Sequence, residues 1–255
     1  MGNRKVLLGA AGGLVAIAVL GVFAVWFFLL RSDAPEEVNL EDAVASLSTP
    51  TAKASTTAQA SNSPAASATA GGGSSATPGL AGTWAPDTSK TNFLGYRVVE
   101  ELARVGTTTA VGRTSGVTGS VVLTETEVKS AKITADLTQL KSDNNMRDGQ
   151  LRNQAIETSK FPTATFELSG AMPLPAGLAA GQAVDVTLKG KLTLHGVTKE
   201  VSVPAQAQLK DGSLVVVGSI DIKFADYDIE KPRGASVLSI EDHGIMELQL
   251  VLSKS

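Results

Sequence analysis

The chain contains no cysteine in its 255 residues. Disulfides, thiolate metal sites and cysteine nucleophiles are excluded together, while the compartment stays open, because an oxidising environment permits disulfides without requiring them. Histidine occurs only at His195 and His243, without the H-x-H or HExxH spacing that a metal site favours. No metal or other cofactor is therefore expected. A G-x-S-x-G nucleophile elbow is also missing. The carboxylates at Glu100-Glu101, Glu230 and Glu241-Asp242 fall at expected strand ends and loops, where solvated surface is the default. These absences argue against an enzyme. Basic residues are scattered in a chain of net charge −3, which leaves no electrostatic footprint for nucleic acid. Aromatic residues make up only 4% of the chain.

What is present divides the chain in three. Residues 1–31 hold an uncharged apolar run, Val6 to Leu30, that ends in Val25-Trp26-Phe27-Phe28. About 20 apolar residues cross a bilayer, so the run is long enough for a single transmembrane helix with some tilt. A cleaved signal peptide would need a shorter core and a small-x-small site, where this sequence has Leu29-Leu30-Arg31. Arg4 and Lys5 precede the run and acidic residues follow Arg31, which favours a cytoplasmic N-terminus. The expected placement is a single-pass anchor in the cytoplasmic membrane, with everything after Arg31 extracytoplasmic.

Residues 32–81 read as an acidic stretch followed by an Ala/Ser/Thr-rich tether in which Lys53 is the only charge between 43 and 80. Such a segment buries too little apolar surface to offset its chain entropy and is expected to be disordered. Within it, Val38, Leu40, Val44 and Leu47 have amphipathic helical spacing, but a helix this short is marginal on its own.

From residue 82 to 255 the hydrophobic period is two. Ala131, Ile133, Ala135 and Leu137 alternate with polar residues, and so do Val184, Val186 and Leu188. Leu192 and Leu194 share a face, His195 falls on the opposite one, and Met246, Leu248, Leu250 and Leu252 repeat the pattern near the C-terminus. Alternation of this kind marks strands buried on one side. About eight or nine are present, and the polar stretch 142–161 is expected to hold short helices capped by Ser142 or Asp143, with Met146, Leu151, Ile156 and Phe161 turned inward. Closing into a barrel removes the exposed edges of such a sheet. Small inner residues and scarce aromatics favour a hollow interior.

Three stretches sharpen this: Arg147-Asp148 with Leu151-Arg152, then Lys160-Phe161-Pro162 with Thr165-Phe166, then Leu192-Thr193-Leu194-His195-Gly196-Val197-Thr198-Lys199. In this order and spacing, residues 82–255 resemble the YceI-like family. The resemblance implies an all-β, eight-stranded antiparallel, lipocalin-like barrel with a short helical insertion. It also implies a polyisoprenoid or similar long-chain amphiphile bound in the interior, and it makes the His-Gly-Val-Thr-Lys stretch a tight hairpin.

The candidate pocket is the set of inward aliphatic and aromatic positions Val121, Leu123, Ile133, Phe166, Leu192, Leu194, Ile220, Ile222 and Leu248. Arg147 and Arg152 are candidates for a polar head group, against the simpler role of a surface ion pair with Asp148. The expected partners are thus a long-chain lipid and, through the N-terminal helix, the membrane. The competing function is a cell-envelope interaction or structural module whose barrel is filled by its own side chains, in which a Trp at Ile133 or Leu194 would affect stability alone.

Overall fold

The computed structural model describes residues 34–48 and 79–255. The expected transmembrane run and most of the tether lie outside the described residues. Among the described residues no helix is long and apolar enough to cross a membrane.

Thirteen strand segments form one sheet: β1 (Gly82–Pro86), β2 (Phe93–Leu102), β3 (Gly106–Thr114), β4 (Val117–Leu123), β5 (Glu127–Asp136), β6 (Lys141–Ser142), β7 (Thr163–Leu168), β8 (Met172–Pro173), β9 (Val184–Leu194), β10 (Val197–Lys210), β11 (Ser213–Lys223), β12 (Val237–Ile240) and β13 (His243–Lys254). Every pairing is antiparallel. The path β1–β4–β5–β7–β9–β10–β11–β13 returns to β1, so eight strands close a barrel. One edge of β13 serves two partners, β2 along Ile245–Gln249 and β1 along Leu252–Lys254. The β2–β3 hairpin continues the wall beyond β1 and β4. Tight turns need left-handed backbone at both central residues to match the strand twist. Asp211 (φ 50°) and Gly212 (φ 76°) supply it between β10 and β11, and His195 (φ 51°) and Gly196 (φ 77°) between β9 and β10.

One end of the barrel is closed by Leu80, Trp84 and Leu178, with the Trp84 indole donating to the Leu80 carbonyl at 2.8 Å. The other end carries the insertion, which begins with α2 (Asn145–Gln150) and continues as a wider turn over Leu151–Ala155. Its N-cap is Asn144, which accepts from the amides of Met146 and Arg147, in place of the expected Ser142 or Asp143. Met146 is 73% exposed, contrary to the inward expectation. It sits in the first turn, on the side facing away from the barrel wall that its neighbour Arg147 grips.

The sequence assigns residues 34–48 to the tether; the structure packs them on the barrel. Helix α1 (Leu40–Ala45) is capped by the Asn39 side chain, which accepts from the Asp42 amide at 2.8 Å. Leu40 and Ala43 cover Val215 and Val217 on the outer face of β11. Burying a Leu side chain stabilises by roughly 1.5–3 kcal/mol, enough to fix a helix that is marginal in isolation. The same segment roofs an outward-facing charge cluster. Glu247 is 1% exposed and pairs with Arg97, and with Arg113 at 3.4 Å, while Arg97 also donates to the Pro35 carbonyl and Arg113 to that of Glu36.

Candidate functional site: two stacked interior cavities

Alternation along each strand sends every second side chain into the barrel, where the inner faces leave two cavities of about 120 Å³ each. Stepping two residues along β9, from Leu192 to Leu194, or along β11, from Ile220 to Ile222, moves from the first cavity to the second. Two residues advance a strand by roughly 7 Å, so the cavities are stacked along the barrel axis. Leu94 of β2 and Met246 of β13 line both, and they form the partition. Met side chains are unbranched and adaptable, so the partition is not rigid.

The first cavity is lined only by apolar side chains, including Val121, Leu123, Ile133, Phe166, Leu192, Ile220 and Leu248. The candidates Leu194 and Ile222 line the second. The second cavity is different in character. Its walls include Tyr96, Glu100, Arg147 and Glu230 beside Leu137, Leu140, Ile156 and Ile229. Inward alternation along β2 through Leu94, Tyr96, Val98 and Glu100 brings that polarity in. Glu100 is therefore buried, where the sequence reading treats it as solvated.

Arg147 reaches Glu100 at 2.7 Å and also pairs with Asp143, locking the insertion to the barrel wall. Burial opposes its charge, yet the bonds and attraction from Glu100 and then Asp143 hold the guanidinium pKa above its usual value. The expected pairing of Asp148 with Arg152 does not form. Asp148 is buried and accepts from the amide and hydroxyl of Ser142 at 2.9 and 2.7 Å. Arg152 turns to the Leu140 carbonyl at 3.4 Å and is not part of the cavity wall.

Tyr96 carries the other polar group. Its hydroxyl is buried with no hydrogen-bond partner among the described residues, Ser142 lying near it but outside bonding geometry. Burial pushes the phenol pKa up to about 12. The ring has space because residue 112 is glycine: a Cβ there would stand 2.4 Å from a ring carbon.

Neither histidine points to catalysis. His195 belongs to the β9–β10 turn and is 8% exposed, not on the outward strand face as expected. Its left-handed backbone swings the ring under Phe161, with centroids 4.5 Å apart, where Nδ1 meets the Tyr227 carbonyl at 3.0 Å and Nε2 meets Glu157 at 3.3 Å. His243 is at the start of β13, beside Asp242 at 3.0 Å, whose carboxylate raises the imidazole pKa. Among the described residues no three His, Asp or Glu side chains converge to hold a metal ion.

A closed barrel with this insertion and an oily interior has known counterparts. Residues 83–252 match the model of the YceI-like domain. The chain belongs to the YceI-like family. The match covers nearly all of the barrel, from β1 to the end of β13. A UPF0312 protein of Vibrio parahaemolyticus is 27% identical over 171 residues, 64% of this chain and 81% of that protein. One from Pseudomonas aeruginosa is 28% identical over 172 residues, 63% and 78% respectively. Among solved structures, a polyisoprenoid binding domain from Saccharophagus degradans, implicated in plant cell wall breakdown, superposes with a TM-score of 0.54 at 24% identity, covering 68% of this chain and 98% of that one. BcnA of Burkholderia cenocepacia gives 0.51 at 20% identity, covering 65% and 98%. At these identities the likeness is one of fold.

Several site residues are missing from the candidate set. Leu94, Tyr96 and Glu100 follow from strict alternation in the opening strand, so their signal was present. The partition role of Met246 and the closing role of Leu178 depend on neighbours far away in sequence.

Proposed function

We propose that this YceI-like protein binds a polyisoprenoid or similar long-chain amphiphilic lipid inside its barrel, and that it does so outside the cytoplasmic membrane while anchored in it. One observation carries the lipid assignment: along the barrel axis a cavity lined only by apolar side chains is followed by a largely apolar one whose wall also holds Tyr96, Glu100, Arg147 and Glu230. That gradient fits a molecule with an oily tail and a polar end. A cavity of about 150 Å³ lined by aliphatic groups holds one benzene ring, so a long tail needs both cavities and displacement of the Leu94–Met246 partition. Burying such a tail stabilises a complex at about 25 cal/mol per Å² of apolar surface, before the costs of ordering it. The polyisoprenoid-binding domain of the same fold supports the ligand class. The charge-free run Val6–Leu30 supports the anchor.

The test is to purify the full chain from membranes, extract it with solvent and identify released lipids by mass spectrometry, with native mass spectrometry reporting occupancy. A stoichiometric amphiphile with a long hydrocarbon tail is expected. Protein that stays empty after incubation with excess prenyl and acyl lipids would remove the assignment.

A further inference from the structure

The large hydrophobic side chains exposed among the described residues are Val105, Met146 and Leu238, at 56%, 73% and 63%. They come from distant parts of the sequence, yet they share one end of the barrel. Val105 tips the β2–β3 hairpin. Leu238 is in β12, which pairs with β2 at Leu102, Glu101 and Glu100, and the Ala103 amide donates to the Ser236 carbonyl at 2.9 Å. Met146 is in α2, bound to β2 through Arg147 and Glu100, and to the loop before β12 through Gln150 and the Arg233 carbonyl at 3.4 Å. These elements also roof the second cavity, to which they contribute Glu100, Arg147, Pro232 and Ile240.

We propose that this rim docks on a lipid bilayer, with Val105, Met146 and Leu238 entering the boundary between head groups and acyl chains and the second cavity facing the leaflet. Three features favour a bilayer over a protein partner. The apolar side chains stand on three separate elements, the β2–β3 turn, α2 and β12. Exposed charges of both signs, Arg104, Lys231 and Arg233 with Glu101, Glu230 and Glu241, flank them along the same segments of chain and would remain in the head-group layer. The third feature is the direction of the N-terminal segment. Pro35 is fastened at Arg97, while Leu47 accepts from Lys90 beyond the opposite end of β2, so the chain enters from the rim side. From Arg97 to Leu102 β2 advances about 17 Å. The five residues from Leu30 to Pro35 span at most ~18 Å when extended. An anchor ending at Leu30 would therefore hold the rim at the membrane.

This inference rests on the lipid-binding and anchoring assignment above, and its test separates the two. Because the chain has no cysteine, Val105→Cys, Leu238→Cys and, at the opposite end, Lys210→Cys each give a single labelling site in the full chain. Each is coupled to an environment-sensitive fluorophore and reconstituted in phosphatidylcholine vesicles that carry nitroxides on the acyl chains. Circular dichroism confirms that each variant is folded. Labels at 105 and 238 are expected to shift to the blue and to be quenched several-fold more than the label at 210. Equal quenching at all three positions overturns docking, even if native mass spectrometry finds the barrel loaded. Selective quenching with an empty barrel upholds docking while the ligand assignment fails.

Discussion

Ala135→Leu distinguishes a hollow barrel from a solid one by the sign of its effect. Ala135 is buried on β5, between Val117 of β4 and Ala164 of β7, and it lines the first cavity. The substitution adds three carbon atoms over the small side chain of Ala164. If the cavity accepts them, each contributes about 0.8 kcal/mol, or roughly 2 kcal/mol in all. In a domain of this size that raises Tm by about 4–8 °C. If the interior were already filled, the same atoms would force strain and cost about 1–3 kcal/mol. Urea unfolding of lipid-stripped protein, followed through the buried Trp84, reads the difference. The hollow account expects higher stability together with weaker lipid loading, because the new side chain occupies tail space. Lower stability with unchanged loading would refute it.

Met246→Trp enlarges the partition between the cavities; long-chain lipids should lose affinity while a short amphiphile that fits the second cavity is retained, as measured by competition with a fluorescent acyl probe. Tyr96→Phe removes a buried hydroxyl that has no partner, so lipid-free stability should stay level or rise by up to about 1–3 kcal/mol. If that hydroxyl bonds the lipid's polar end, affinity should fall by about 0.5–1.5 kcal/mol in the same variant. Unchanged affinity would show that the hydroxyl does not contact the ligand. Glu247→Ala leaves Arg97 and Arg113 unpaired on the covered outer face, and should cost about 3–5 kcal/mol in urea unfolding. The exposed Glu101→Ala should stay within about 0.5 kcal/mol of wild type.

The barrel strands were legible because alternation is a local signal. The nine inward positions from Val121 to Leu248 could be chosen by the same logic, and each lines one of the two cavities. The helix within 34–48 was legible in the spacing of Leu40, Val44 and Leu47, but its docking on the barrel was not. Its trace lies in β11, where Leu214-Val215-Val216-Val217 is apolar on both faces, a pattern that a strand wet on one side does not show. His195 misled because an alternation rule ends where a hairpin begins, and its left-handed backbone turned the ring inward. The Arg97–Glu247 pair joins residues 150 apart, and no short-range signal marks it. The Glu100–Arg147 clamp falls between these cases. Alternation along β2 carries the glutamate inside, against its reading as solvated surface, and only the fold shows which arginine meets it.

Photo-crosslinking measures the path of the ligand most directly. A prenyl amphiphile carrying a diazirine at the tail terminus is irradiated in the loaded protein, and the labelled residues are mapped by peptide mass spectrometry. Threading through both cavities predicts adducts on the walls of the deep cavity, such as Leu123 or Leu178. A probe carrying the diazirine beside the head group should label Tyr96 or Leu140. Adducts confined to the outer face, under α1 or along the rim, would contradict a lipid held inside the barrel.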